Sequence, residues 1–345
     1  MALIAFALHY LKVATLSVLV GLPISGMLYQ HLATKIDQRR YPPPGKLIDV
    51  GGHSLHINCT GQGDGPTVIL EAGGSCSSLE WSLVQPEVAT FAPVCSYDRA
   101  GLGWSQEGPQ PRSGKRIVNE LHTLLHKAQI PGPYIFVGHS IGGLFARLYA
   151  SRWPDEVAGI VLVDSSYEYQ EDKYPPMGQS RLEKIVSPGS ILTTLARFGI
   201  IRLLSKLPSV RETVIILPAH ARAPFLAHTS KTSHYKTTFL EIANERERET
   251  SAALEKAGDL GNMPLIVIKH GKQIDPKLIG ENEEWTEKFY KIHANLQEQL
   301  AAKSANSKLI VAEQSGHMIP YQQPEIIIEA IREVIQICRE NKERP

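Results

Sequence analysis

Residues 131–150 leave room for very few folds. The breaker Pro131-Gly132-Pro133 precedes the apolar run Tyr134-Ile135-Phe136-Val137. Then come Gly138-His139-Ser140-Ile141-Gly142 and Gly143-Leu144-Phe145-Ala146-Arg147-Leu148-Tyr149-Ala150. The apolar run reads as a buried strand and the last stretch as a helix. Between them lies a G-x-S-x-G turn, whose glycines let the chain reverse sharply. A serine at the tip of such a turn presents its hydroxyl outward, which makes Ser140 a candidate nucleophile. The bland account of the same residues is a glycine-rich turn carrying an incidental serine.

A serine hydroxyl is a poor nucleophile near neutrality. It needs a base within hydrogen-bond reach and a third group that orients the base. The chain has 13 histidines, so position must choose among them. Leu309-Ile310-Val311-Ala312 reads as a last strand and Glu313-Gln314-Ser315-Gly316-His317 as the loop beyond it. Residues 324–338 read as a helix, with Ile326, Ile327, Ala330, Ile331, Val334 and Ile335 on one face. His317 therefore sits beyond a C-terminal strand, far downstream of Ser140. His122, His126, His220, His228, His234 and His293 lack that setting and read as helix-face or cap residues. His139 shapes the turn and the pocket wall.

From about Pro43 onward the chain resembles the α/β-hydrolase superfamily, in the branch with a Ser-His-acid triad. The resemblance rests on Val68-Ile69-Leu70-Glu71-Ala72-Gly73-Gly74, on Tyr97-Asp98-Arg99-Ala100-Gly101-Leu102-Gly103-Trp104-Ser105, and on the serine turn. Gly159-Ile160-Val161-Leu162-Val163-Asp164 and Ser315-Gly316-His317 complete it, in the expected order. It implies an α/β fold, with a mostly parallel eight-stranded sheet flanked by helices and a helical cap insert. It also implies an oxyanion hole formed by two backbone N–H groups. One belongs to Ile141. The other belongs to the turn after Leu70, where Gly74 is chosen as donor with Gly73 as neighbour. The family usually has His-Gly there, and this chain has Ala72-Gly73-Gly74. Two aspartates compete for the acid. Asp275 lies on the later loop that most members use, and Asp164 follows directly on the strand 160–163. Asp164 is favoured because a residue at a strand end is held more rigidly. Asp275 is the alternative. Asp98 and Arg99 read as loop braces.

With 43% hydrophobic and 21% charged residues, a chain of 345 can bury a large core. A net charge of +1 offers no basic field for nucleic acid. Gly101-Leu102-Gly103 lacks the third glycine of a dinucleotide turn, and there is no Walker A, H-E-x-x-H or CxxC pattern. No cofactor and no metal is expected.

Up to Leu28 the only charged side chain is Lys12, and the segment is long enough to span a bilayer. Residues 1–30 are expected to form a single-pass membrane anchor, with a cleaved signal peptide as the alternative, leading to a secreted or periplasmic protein. Residues 31–48 read as a linker, its Pro42-Pro43-Pro44 acting as a stiff spacer. The hydrolase core is expected over 49–164 and 261–345, with the helical cap over 165–260. Within the cap, Glu241 to Glu255 reads as a solvated helix face. The usual sheet order makes the strands of Cys59 and Cys95 neighbours, which allows a disulfide; two buried free thiols is the plainer reading. Cys76 and Cys338 are read outside any disulfide.

The resemblance implies a serine hydrolase acting on an ester-type bond of an apolar small molecule or lipid-like substrate, through an acyl-enzyme. Thioesterase, amidase and carbon-carbon bond hydrolase chemistry remain open, as does a binding protein on a retired hydrolase scaffold.

Overall fold

The computed structural model describes residues 2–176, 191–245 and 248–343. Residues 177–190 and 246–247 of the expected cap lie outside that set. Among the described residues eight strands form one sheet: β1 (Lys46–Asp49), β2 (Ser54–Thr60), β3 (Thr67–Glu71), β4 (Val94–Tyr97), β5 (Tyr134–His139), β6 (Val157–Val163), β7 (Leu265–His270) and β8 (Ser307–Ala312). Their order is β1-β2-β4-β3-β5-β6-β7-β8. β2 runs antiparallel to both of its neighbours, and every other pairing is parallel. The helices that matter are α1 (Ala2–Arg40), α2 (Gly114–Lys127), α3 (Ile141–Arg152), α4 (Ile191–Arg197), α5 (Ile200–Leu204), α6 (Ala219–Thr229), α7 (Thr232–Glu245), α8 (Arg248–Ala257), α9 (Glu283–Ala301) and α10 (Pro324–Glu343).

The parallel strands are apolar throughout because helices cover both faces of the sheet. On one face Phe136, Leu162 and Val267 pack with Leu121 and Leu124 of α2 and Tyr149 of α3. On the other, Val137, Val161 and Ile266 pack with Ile327, Ile331 and Val334 of α10. These two layers fix the C-terminal ends of β5, β6, β7 and β8 side by side. In a parallel α/β sheet, that edge is where ligand-handling loops gather.

Helices α4–α8 occupy the segment expected as the cap. Its charge-rich stretch is solvated at Arg248, Glu249 and Glu255, as expected, but not throughout. Glu241 is buried against Arg99, and Thr250, Ser251 and Leu254 are buried too. A fixed cation inside the core gives that carboxylate a reason to turn inward.

The N-terminal expectation also needs correcting. Among the described residues no helix is long and apolar enough to cross a membrane. α1 continues without a break through residues 31–40, which had read as linker. Its later turns pack on the cap. A Cβ on Gly26 would stand 2.6 Å from the Phe198 carbonyl, and Gln30 Nε2 donates to the Ser230 carbonyl at 2.8 Å. Arg202 donates to Gln30 Oε1 at 3.0 Å and pairs with Asp37. Polar residues at that spacing put a protein-facing stripe on the helix, and this docks it.

Cys59 and Cys95 stand directly opposite in the β2–β4 register and form a disulfide. The plainer expectation of two free thiols is corrected by strand adjacency alone.

Candidate active site

Ser140 lies between β5 and α3 with φ 53° and ψ −125°. A non-glycine residue is costly there and persists only where its surroundings over-determine it. They do so here. Ser140 N–H donates to the Val163 carbonyl, and the Ser140 carbonyl accepts from Gly143 and Ser166, each at 3.0 Å. The flanking glycines are sterically required. A Cβ on Gly138 would meet the Gly142 carbonyl at 2.7 Å, and one on Gly143 would meet Ser165 Oγ at 1.9 Å.

Asp164 directly follows β6 and His317 lies on the loop after β8. His317 Nδ1 donates to Asp164 Oδ2 at 2.6 Å. That bond leaves Nε2 of a half-exposed ring available to a proton donor. Asp275 does not reach His317; it caps a short helix, accepting from Lys277 N–H at 2.9 Å.

Asp164 has further partners that the sequence did not disclose. His270 Nδ1 lies 2.8 Å from Oδ1 and 2.7 Å from Oδ2, and the His270 backbone N–H donates to Oδ1 at 3.1 Å. His293 Nε2 lies 3.0 Å from Oδ1. One N–H from each ring satisfies this arrangement, so the carboxylate sets the tautomer of all three imidazoles. Burial pushes the Asp164 carboxyl up, but the bonds from His270, His293 and His317 outweigh it and hold the pKa well below the usual range. His270 had a usable signal: it ends β7, the strand beside β6, and Asp164 N–H bonds to the Ile268 carbonyl. His293, buried on α9, had read as a helix-face residue, and only the packing of α9 over β7 brings it in.

The other flank of Ser140 holds the glycine turn. Gly73 N–H is taken by Glu80 Oε2 at 2.8 Å. Gly74 lies beside Ile141: a Cβ on it would meet Ile141 Cγ2 at 3.7 Å. Of the two glycines, Gly74 is thus the one with its N–H clear of Glu80. Arg99 braces this turn. It donates to the Ala72 and Gly73 carbonyls at 2.6 and 2.7 Å, to Glu71 at 2.7 Å and to Glu241 of the cap. Asp98 ties His56 to the Ser78 and Trp104 N–H groups. His139 sits between the flanks. Its Nδ1 meets Glu80 at 2.8 Å and its Nε2 donates to the His317 carbonyl at 2.9 Å. Burial lowers the pKa of that ring, yet the Glu80 charge overrides it and the net shift is upward.

Ser140, Asp164, His270, His293 and His317 all line one cavity of about 1220 Å³. Tyr174, Trp285, Phe289 and Tyr290 form an aromatic wall, and Ile216 of the cap closes part of the roof. A hydroxyl, an imidazole and a buried carboxylate facing such a space are equipped for acyl transfer.

Comparison with known proteins agrees with this geometry. The family model described as "Alpha/beta hydrolase family" matches residues 68–330. Protein YqjL of Bacillus subtilis (strain 168) is 25% identical over 290 residues, which cover 84% of this chain and 91% of that one. A thermophilic esterase from Thermogutta terrifontis superposes with a TM-score of 0.57 at 20% identity, covering 83% of this chain and 94% of its own. The epoxide hydrolase CorEH does so with 0.58 at 15% identity, over 84% and 98%. These superpositions show a shared fold across different chemistries.

Proposed function

Because the chain belongs to the alpha/beta hydrolase family, we propose that it is a serine hydrolase that cleaves an ester-type acyl bond through an acyl-enzyme. The observation that carries this reading is His317, bound to the buried Asp164 at 2.6 Å and sharing one cavity with the strained Ser140. In the proposed cycle His317 Nε2 takes the Ser140 proton as Oγ attacks the carbonyl carbon. The N–H groups of Ile141 and Gly74 bind the oxyanion. The imidazolium returns the proton to the departing alcohol oxygen, and water, activated by the same ring, then releases the acid. A serine at this position separates the proposal from epoxide hydrolase and dehalogenase chemistry, which uses an aspartate there.

The aromatic wall supports an apolar acyl or alcohol group. The outer surface supports a lipid-like one. Leu19, Val20, Ile24 and Leu28 of α1 and Leu203, Leu204, Leu207 and Ile216 of the cap are exposed, and Ile216 also lines the cavity. We therefore include a lipid surface among the partners, reached by the cap and α1 lying on it rather than by a span through it. The Cys59–Cys95 disulfide favours an oxidising compartment, in line with the secreted or periplasmic alternative.

Labelling of the purified intact chain with a fluorophosphonate probe tests the reading. Rapid labelling that disappears in Ser140→Ala and in His317→Ala is the expected result. A folded protein that does not label overturns it.

A further inference from the structure

A second cluster of imidazole and carboxylate groups lies on the other side of the protein from the serine turn, and the proposed hydrolysis makes no use of it. His122 and His126 are four residues apart on α2, so their rings rise from one face, with centroids 4.3 Å apart. Glu156 belongs to the turn Pro154–Glu156 between α3 and β6. Both ring Nε2 atoms converge on the same oxygen, Glu156 Oε1, at 3.2 and 3.3 Å.

Two of these groups are oriented by the protein behind them. Glu156 Oε2 accepts from Tyr149 O–H at 2.6 Å. The His122 ring stacks on Trp153 at 4.0 Å between centroids and 11° between planes. A chance pairing of surface charges has no such backing. Outer partners that fix a ligand's direction are a regular feature of metal sites.

The spacing suits the donor shell of a small divalent ion. With bonds of about 2.0–2.1 Å, neighbouring donors in a tetrahedral shell stand about 3.3 Å apart. Both observed nitrogen-to-oxygen separations match that edge. Two imidazole nitrogens and one carboxylate oxygen are the donors of zinc and its neighbours, whereas calcium and magnesium take oxygen. The three side chains are partly exposed, so an ion can enter from solvent and keep water in its remaining positions.

We propose that His122, His126 and Glu156 form a binding site for a divalent transition-metal ion, zinc first among them. The ion joins α2 to the turn that starts β6, and it binds only when both are folded. Its effect is to stabilise the fold by mass action. None of the three residues lines the Ser140 cavity, so the site is independent of hydrolysis.

Asp164, His270 and His293 offer a similar donor set, but that carboxylate also holds His317 and the cluster lines the Ser140 cavity. The test has to separate the two clusters. The intact chain is stripped with a chelator and titrated with cobalt(II), whose visible absorption reports the ligand shell, and zinc(II) then displaces it. The expected result is one ion per chain in the wild type and in His270→Asn, with no such binding in the His122→Asn/His126→Asn double variant. Tyr149→Phe should bind at least about tenfold more weakly. Zinc should raise the unfolding midpoint of the wild type but not of the double variant. Should the double variant misfold in chelator, Glu156→Gln takes its place, with the same expected loss. Binding that survives removal of the histidine pair overturns the proposal. So does binding abolished by His270→Asn, or no saturable binding up to millimolar zinc.

Discussion

On one side of Ser140 a single carboxylate, Asp164, meets three imidazoles. On the other, Glu71, Glu80 and Glu241 meet Arg99 and His139. The carboxylates of both clusters are buried, yet the bonding around them is finished to different degrees. The guanidinium of Arg99 reaches five acceptors: the Ala72 and Gly73 carbonyls, one oxygen of Glu71 and both of Glu241. His139 uses both ring nitrogens. Arg99 and His139 are thus fully engaged, and the cluster holds the glycine turn still. On the Asp164 side, His317 bonds through Nδ1 and its side chain is 50% exposed. A group that shuttles protons needs one bond fixed and one open. On the proposed function, the contrast separates the flank that acts from the flank that braces.

The sharpest way to break this contrast is to remove the Asp164 charge. Asp164→Asn should lower kcat/KM by about 10⁴, because the amide no longer enforces the tautomer of His317 or stabilises its imidazolium. Asp275→Asn should leave both turnover and stability near the wild-type level, because asparagine caps a helix as well as aspartate does. Steady-state kinetics on an ester that the wild type turns over compares the two. A larger loss in Asp275→Asn would put the acid on the wrong loop.

How much of this could be read beforehand depended on where each residue's constraint lies. Ser140, Asp164 and His317 each sit at the end of a strand or just beyond it, so local sequence pattern already places them at one edge of the sheet. His270 was within reach of the same logic, because it ends the strand beside β6. His293 was not. Its role depends on the packing of a helix that joins β7 to β8, and nothing in residues 283–301 marks one histidine as inward. Glu241 misled for a related reason. A charge-rich helix suggests water, and its buried partner Arg99 is 142 residues away in sequence. α1 misled because apolar composition dominates any reading of residues 1–30. The polar residues that dock it, Gln30, Thr34 and Asp37, act through Arg202 of the cap.

A second test takes the bracing flank. Arg99→Leu leaves the Glu71 and Glu241 carboxylates buried without their cation. Removing one partner of a buried pair costs about 3–5 kcal/mol. Burial already pushes Glu71 up to about 7 against the pull of Arg99 and Tyr97, so little margin exists for losing the guanidinium. Urea unfolding should show the drop. If Arg99→Leu instead left stability intact and removed turnover alone, Arg99 would belong with the acting flank.

The smallest expected effect is the most specific, because it separates a locked proton from a moving one. His139 has a raised pKa: burial opposes the charge, but Glu80 outweighs burial. Its contribution to stability is therefore fully present below the unfolded value of about 6.5 and is lost as pH rises through the folded pKa. Glu80 has a lowered pKa: burial raises it, but His139 and the Gly73 N–H outweigh burial. Its contribution is present above the unfolded value of about 4.3 and is lost as pH falls through the folded pKa. The pair thus stabilises most between those unfolded values and weakens on the alkaline side. Each unit of displacement is worth about 1.4 kcal/mol. In Glu80→Gln the amide can still accept a hydrogen bond but no longer holds the proton on His139. Unfolding midpoints of the two proteins across the neutral range should therefore differ most at mildly acid pH and converge as pH rises. A gap that stays constant with pH would mean that His139 carries no locked charge, and the bracing flank would then lose half of its ionic character.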